Sequence, residues 1–290
     1  MNHSTNPLHA DHSRQFEQNR YVYPVLSRRS RGLSLGVNLN PDKICNFDCI
    51  YCQVNRRTEA ETTFVDLPAV LRELDDLLSL IASGEIYQHP KFANVPDELR
   101  RLNDIAFSGD GEPTTYRNFD EIISQVASLK KQHQLDDTKL VLITNASMFH
   151  RPAVQNGLKL MDENNGEIWA KLDAGTEEYY HFIERTKIPF QQILDNIRDA
   201  AKVRPLVIQS LLMRVNDVPP SEAEIAAFCE RLNDITSAGG QLKLIQIYTV
   251  ARTPAESYVS CLEDEEVDRI ADTVRERTGL TVESYYGRKT

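Results

Sequence analysis

The feature that most constrains this chain is a regular alternation of short apolar runs with amphipathic helical patterns. Six such pairs follow one another, and the apolar runs include KLVLIT and PLVIQSLLM. Strands that are apolar on both faces are typical of parallel sheets, and intervening helices supply the crossovers that parallel pairing needs. The pattern predicts an α/β fold. The predicted strands span residues 33–39, 104–108, 139–144, 167–173, 206–213 and 242–250, and the predicted helices span 68–82, 118–131, 152–163, 190–203, 221–235 and 264–278.

Periodicity alone does not decide whether these units close into a barrel, form part of one, or lie open as a doubly wound sheet. In each case function is expected at the carboxyl ends of the strands. The polar stretch 1–20 shows no periodicity and is predicted to be a mobile tail. Residues 21–290 are predicted to form one core domain, with an irregular surface excursion near 84–101.

Composition narrows the class of protein. The 290 residues hold 33 Lys and Arg against 43 Asp and Glu, and a net charge of -10 is not that of a general polyanion binder. Residues 1–60 nevertheless carry a basic excess. No apolar run is long enough to cross a bilayer and the first residues lack the apolar stretch of a signal peptide, which predicts a cytoplasmic protein with no membrane partner.

Three cysteines lie within eight residues, at Cys45, Cys49 and Cys52. A stripe of buried cysteines on a helix and a zinc site are alternatives, but Asp48 interrupts an apolar face and no fourth Cys or His lies nearby to complete a structural zinc site. An iron-sulfur cluster fits better, because four irons bound by three thiolates leave one iron open to another ligand. Cys229 and Cys261 lack the spacing of cluster ligands.

The run CNFDCIYC, in which Tyr51 is the aromatic residue before the last cysteine, resembles the signature of the radical S-adenosylmethionine (SAM) superfamily. Three further segments match the family in order: SGDGEPT after the second strand, ITN at the end of the third and WAKLD in the fourth. The resemblance covers roughly residues 33–250. Within the superfamily it is strongest to the branch of wyosine-base tRNA modification enzymes, although this chain lacks the additional N-terminal cysteines of those proteins.

The resemblance implies a (β/α)6 partial TIM barrel of the radical SAM type with short N- and C-terminal extensions. It also implies that Cys45, Cys49 and Cys52 hold one 4Fe-4S cluster whose open iron binds SAM. Tyr51 would pack near the adenine, and the GDGEP loop would bind the SAM amino group. The residues expected to bind SAM are Tyr51, Gly109, Asp110, Gly111, Glu112, Thr144, Asn145, Lys171 and Asp173.

Several polar residues in the predicted strands have two interpretations. Lys171 and Asp173 alternate along one strand and therefore share a face, where they bind a ligand or pair with each other. The same choice holds for four polar residues in otherwise apolar strands, which line a cavity or satisfy one another. These residues are Gln209, Ser210, Gln246 and Tyr248.

The function implied by the resemblance is reductive cleavage of SAM to a 5'-deoxyadenosyl radical that abstracts hydrogen from a substrate. No residue is assigned a catalytic role of its own, since the cofactors carry the difficult chemistry. An external one-electron donor such as flavodoxin or ferredoxin is expected, and the substrate is a small molecule, a peptide or a tRNA. The alternatives are wyosine-type modification of a tRNA base and a non-catalytic iron-sulfur or zinc-binding protein.

Overall fold

A computed structural model describes residues 16–27, 29–56, 58–60, 62 and 64–287. Residues 1–15 of the predicted tail lie outside the described residues. Within the remainder of that stretch, Phe16 is 4% exposed, and its ring centroid lies 4.8 Å from that of His89 and 6.2 Å from that of Phe92. Phe16 is therefore packed against the 84–101 segment.

The described chain contains the strands and helices of an α/β fold. The strands are β1 (Val22–Ser27), β2 (Gly32–Val37), β3 (Leu102–Phe107), β4 (Lys139–Thr144), β5 (Gly166–Lys171), β6 (Leu206–Leu211), β7 (Arg214–Val215), β8 (Leu242–Tyr248), β9 (Val259–Ser260) and β10 (Val282–Tyr285). The helices are α1 (Leu67–Ala82), α2 (Phe119–Gln132), α3 (Pro152–Asp162), α4 (Glu177–Glu184), α5 (Phe190–Val203), α6 (Glu222–Ser237) and α7 (Asp264–Thr278). None of these helices has both the length and the apolar character needed to span a membrane.

The chain divides into two compact units, and each is described by itself. Unit 1 comprises the described residues up to Ile44 together with Glu59–Ile143 and Arg151–Glu167. Its strands follow the order β1-β2-β3-β4, with β1 antiparallel to β2 and the others parallel. Helices α1, α2 and α3 belong to this unit, and α2 packs against both α1 and α3.

Unit 2 comprises Cys45–Thr58, Thr144–His150 and the described residues from Ile168 onward. It contains most of β5, and its main strands follow the order β5-β6-β8-β10, all parallel. Helices α4 to α7 pack successively against one another, and the short strands β7 and β9 form an antiparallel pair. The carboxyl ends of the main strands bring several polar side chains of this unit to one edge.

The predicted α/β class is confirmed, and each of the six predicted strands and helices is present with ends shifted by a few residues. Five of the strands and helices in the described residues were not predicted: β1, α4, β10 and the two-residue strands β7 and β9. Strand β1 contains Pro24, which is unfavourable in a sheet interior and is tolerated here on an edge strand. Helix α4 is only 8 residues long, and β10 only 4. The excursion at 84–101 contains two short 3-10 turns, Glu85–Gln88 and Asp97–Leu99.

Helix ends follow the local signals of the sequence. Ser221 accepts a hydrogen bond from the Glu224 backbone N–H and so begins α6, as its position predicts. Glu263 and Glu266 form a reciprocal capping box at the start of α7, and Gly279 ends that helix in the left-handed region at φ 69°.

The start of β1 is held by one carboxylate from α1. Glu73 accepts hydrogen bonds from the backbone N–H groups of Arg20, Tyr21 and Val22 at 3.0, 2.8 and 2.9 Å. These donors lie before and at the edge of the sheet, where strand pairing does not satisfy all of them. A single side chain therefore fixes where the sheet begins.

Glu73→Ala is expected to lower the free energy of unfolding by about 1–3 kcal/mol, because it strips charge-assisted hydrogen bonds from partly buried donors. Urea unfolding measures the change. Asp76→Ala, at an exposed position of the same helix, serves as the control and should change stability by less than about 0.5 kcal/mol. Equal effects of the two substitutions would contradict this assignment.

Candidate functional site

The three clustered cysteines lie in an irregular loop of unit 2 that precedes α1 in the chain. Cys45, Cys49 and Cys52 are partly exposed and form no disulfide. The loop turns tightly at its end, where the Cys52 N–H donates to the Cys49 carbonyl at 3.0 Å. The three cysteines are therefore confined to a short, folded segment.

Helix α4 anchors this loop through the backbone. The Asp48 N–H donates to the Glu184 carbonyl at 3.0 Å, and the Ile50 N–H donates to the Ile183 carbonyl at 2.9 Å. Ile183 and Ile50 are fully buried. The short helix that the sequence pattern missed is thus the element that positions the cysteine loop.

The Arg56 guanidinium interacts electrostatically with all three cysteines of the loop. Burial lowers the pKa of Arg56, but the negative potential of Cys52, Cys45 and Cys49 outweighs burial and raises it above its ordinary value. The Arg56 Nη1 also donates to the Phe47 carbonyl at 3.0 Å, which fixes the side chain over the loop. The three thiols therefore share one neighbourhood that contains a stabilising positive charge.

This donor set fits an iron-sulfur cluster. Thiolates are the ordinary ligands of such clusters, and nearby hydrogen bonds and charges tune them. A zinc ion, in contrast, needs its ligand atoms within about 2.3 Å of one point. Among the described residues, no three His, Cys, Asp or Glu side chains are arranged to hold a single metal ion.

A closed hydrogen-bond triad links the cysteine loop to the residues after β4. Asn145 donates to Asn46 at 2.9 Å, Asn46 donates to Ser147 at 2.8 Å, and the Ser147 hydroxyl donates back to Asn145 at 2.6 Å. Next to it, the Thr144 hydroxyl accepts from the Ala146 N–H at 3.0 Å. Thr144 and Asn145 thus lie in the structure that supports the cysteine loop.

Tyr51, Lys171 and Asp173 come together in unit 2. The Tyr51 hydroxyl donates to the Asp173 carboxylate, and the Lys171 ammonium lies 3.2 Å from the same carboxylate and 4.6 Å from the centroid of the Tyr51 ring. Asp173 also accepts from the Leu211 N–H at 2.6 Å. The predicted pairing of Lys171 with Asp173 is therefore present, and Tyr51 completes the cluster.

Burial and charge set the protonation of this group. Burial favours the neutral amine of Lys171, but Asp173, followed by Tyr248, outweighs it and raises the pKa of Lys171 well above its usual value. Burial, followed by Asp173, raises the pKa of the Tyr51 hydroxyl well above its usual value. Lys171 therefore stays a cation and Tyr51 stays a hydrogen-bond donor at neutral pH.

Glu184 is a site residue that sequence reasoning missed. Its side chain is 3% exposed, its carboxylate accepts from the Cys49 thiol at 2.6 Å, and its other oxygen lies 3.1 Å from the Tyr51 hydroxyl oxygen. Burial, followed by the nearby Asp173 carboxylate, raises the pKa of Glu184 to about 8. Burial, followed by the charge of Glu184, raises the pKa of Cys49 well above its usual value.

The GDGEP loop belongs to unit 1 and packs against the chain that follows β2. A Cβ atom at Gly109 would lie 2.1 Å from the Asn38 Oδ1, and one at Gly111 would lie 2.2 Å from the Ile44 carbonyl oxygen. Neither glycine is among the residues with positive φ. Close approach, rather than a left-handed backbone, is the reason for glycine at both positions.

The polar groups of this loop are largely used within unit 1. Glu112 is 2% exposed, and its carboxylate accepts from the Thr114 N–H at 3.0 Å. Asn38 donates to the Asp110 carboxylate at 2.7 Å. Beside Gly111, however, the buried Oδ1 of Asn40 has no hydrogen-bond partner within the described residues. An unpaired acceptor of this kind fits a cationic donor such as the amino group of SAM.

The structure thus divides the predicted site residues into three groups: Tyr51, Lys171 and Asp173 beside Cys49; Thr144 and Asn145 beside Asn46; and Gly109 to Glu112 beside Asn38 and Asn40. Sequence reasoning missed Asn38, Asn40 and Glu184. Asn38 and Asn40 directly follow β2, and polar residues after a parallel strand are a usable signal. The SAM-binding roles of the residues predicted from the sequence stay predictions.

The sequence profile of the Radical SAM superfamily matches residues 39–229. This chain belongs to the radical SAM superfamily. Members of this superfamily use SAM together with an iron-sulfur cluster. The matched segment begins before the cysteine loop and ends within α6, and membership agrees with the predicted partial-barrel class.

Two curated relatives show how far the similarity extends along longer proteins. A GTPase Obg from Brachyspira hyodysenteriae is 23% identical over 250 residues, covering 85% of this chain and 32% of that protein. A UPF0026 protein from Helicobacter pylori is 30% identical over 219 residues, covering 72% of this chain and 62% of that protein. The chain therefore spans about a third and under two thirds of these relatives, respectively.

Solved structures of the same fold include a radical SAM methyltransferase from Sphaerobacter thermophilus, with a TM-score of 0.63 and 13% identity over 92% of this chain and 70% of that chain. A TYW1 structure with a bound lysine-pyruvate adduct has a TM-score of 0.52 and 16% identity, over 85% of this chain and 74% of that chain. At these identities the similarity concerns the fold alone.

The contact between Glu184 and Cys49 predicts a change in thiol reactivity. In metal-free protein whose other four cysteines are serine, Glu184→Gln should lower the pKa of Cys49 and speed its alkylation by iodoacetamide. Each unit by which the pKa falls gives about tenfold more thiolate. The effect should be largest above the Glu184 pKa of about 8, where the native carboxyl is charged.

Glu178→Gln is the matched control, because Glu178 is exposed on the same helix. Mass spectrometry of quenched samples gives both rates. Unchanged or slower alkylation in Glu184→Gln would show that this carboxyl does not govern Cys49.

Proposed function

We propose that this chain binds one 4Fe-4S cluster through Cys45, Cys49 and Cys52 and uses it to cleave SAM reductively. A bound and reduced cluster would supply the one electron needed to break a carbon-sulfur bond of SAM, giving methionine and a 5'-deoxyadenosyl radical that would abstract hydrogen from a substrate. The observation that carries the proposal is the confinement of all three thiols to one short loop that is bonded through its backbone to α4, within the segment that matches the superfamily.

The protein's own residues have separate tasks in this scheme. Arg56 balances the negative charge of the three thiolates, and helix α4 together with Asn46 holds their loop in place. Asn40 and the GDGEP loop supply acceptors for the SAM amino group. Open ligand positions and exclusion of water are what a protein contributes when cofactors perform the reaction.

An external electron donor completes the proposal, since none of these side chains donates an electron at low potential. A small one-electron carrier such as flavodoxin or ferredoxin meets this need. The partly exposed cysteines leave the loop accessible to such a carrier.

Wyosine-type modification of a tRNA base is the second candidate, favoured by the structural similarity to TYW1. The TYW1 structure carries a lysine-pyruvate adduct, and forming such an adduct requires a neutral amine as nucleophile. In this chain Asp173 holds Lys171 as a cation at 3.2 Å, which disfavours that chemistry at Lys171. Comparison of tRNA nucleosides from cells with and without the protein distinguishes this candidate.

Cys49→Ala is expected to abolish both the brown absorbance of the anaerobically reconstituted protein and the formation of 5'-deoxyadenosine from SAM and dithionite. Cys49 is one of the three thiolate ligands proposed for the cluster, so its loss removes one of the three protein bonds to it. Absorbance spectroscopy and liquid chromatography measure the two effects on the same sample.

Cys229→Ala is the control, since Cys229 is buried in α6 and lacks cluster spacing. It should retain the absorbance and at least about half of the cleavage rate, a loss no larger than ordinary core substitutions cause. Cluster loss in Cys229→Ala, or cluster retention in Cys49→Ala, would contradict the ligand assignment.

A further inference from the structure

Four polar side chains form a row across the strands of unit 2. The register places Lys171 of β5 beside Gln209 of β6, Gln209 beside Gln246 of β8, and Gln246 beside Glu283 of β10. Neighbouring residues in such a register project from the same face of the sheet. These four residues are called the polar row.

The two glutamines at its centre are fully enclosed. Gln209 is 0% exposed and Gln246 is 2% exposed. The Gln209 Nε2 donates to the Gln246 Oε1 at 2.7 Å, while the Gln209 Oε1 has no hydrogen-bond partner within the described residues. The pair thus satisfies only part of its own hydrogen-bonding capacity.

The hydrogen bond between Gln209 and Gln246 does not by itself explain why two carboxamides are buried here. A buried acceptor without a partner destabilises the folded state, and two apolar residues of similar length would avoid that cost. The neighbours along these strands are indeed apolar, as with Ile208 and Ile245, both 0% exposed. The two carboxamides therefore point to a ligand that completes them.

The polar row adjoins Tyr51 and Asp173 through its own member Lys171. Tyr248 follows Gln246 by two residues, so it shares the same face, and its hydroxyl lies 3.5 Å from the Lys171 Nζ. Two residues of strand separate the row from Tyr248 by about 7 Å. A ligand on the Gln209 Oε1 would therefore lie on the sheet face that carries Lys171 and Tyr248, beside Tyr51 and Asp173.

Charge restricts what this ligand is. Lys171 already pairs with Asp173 at 3.2 Å, and Glu283 adds a further carboxylate at the other end of the row. A second anion would meet these carboxylates in an environment of low dielectric constant. The free acceptor and the surplus negative charge both favour a neutral or cationic donor.

We infer that the polar row is a binding subsite for a substrate that carries an N–H donor, an amide or an amine, which hydrogen-bonds to the Gln209 Oε1. The inference rests on the proposed function, because it names the substrate class of the same centre. Carboxylates and phosphates are excluded from this subsite.

Equilibrium dialysis of the full reconstituted chain with labelled acetamide, methylammonium and acetate tests the subsite. Acetamide or methylammonium should bind saturably, and acetate, which has the shape of acetamide without its donor, should not. Preference for acetamide identifies an amide substrate and preference for methylammonium an amine.

The double variant Gln209→Met/Gln246→Met removes both carboxamides and keeps the side-chain length. It should weaken binding of the preferred probe by about tenfold, as expected for loss of one ordinary hydrogen bond. It should also raise the Tm, because the unpaired acceptor is gone. Gln132→Met, at an exposed position of α2, should leave both quantities unchanged.

Three results would overturn the inference: no binding of either N–H probe, equal binding by the double variant, or a fall in its Tm or failure to fold. The first would mean that water serves the acceptor, and the last that the glutamines are structural. Because the dialysis contains no reductant, failure of SAM cleavage overturns the proposed function without changing these results.

Discussion

The buried carboxylate of Asp173 is the interaction on which the rest of the site in unit 2 depends. It accepts from the Tyr51 hydroxyl, from the Leu211 N–H and from the Lys171 ammonium. A carboxylate that is 3% exposed is tolerable only when it is paired and hydrogen-bonded in this way. The cysteine loop, through Tyr51, and strands β5 and β6 are thereby joined at one point.

This arrangement explains how partly exposed thiols coexist with buried charges. The loop is held from its two sides, by backbone bonds to α4 and by the triad of Asn46, Asn145 and Ser147. The polar row continues across β6 and β8, where the Gln209 Oε1 has no hydrogen-bond partner within the described residues.

Much of the fold was predictable because parallel strands buried on both faces leave apolar runs in the sequence, and helix caps such as Ser221 mark their own positions. Helix α4 was not, since its 8 residues give too little periodicity. The cysteines were predictable from spacing. Glu184 was not, because its contact with Cys49 joins residues 135 positions apart, and neither residue signals the other locally.

We propose that three thiolates hold four irons and leave one of them open. The most direct measurement is the iron and sulfide content of the anaerobically reconstituted chain, with electron paramagnetic resonance of the reduced protein before and after SAM is added. The account predicts four irons and four sulfides per chain, and a spectrum that SAM alters. Zinc in place of iron, fewer than four irons, or a spectrum that SAM leaves unchanged would contradict it.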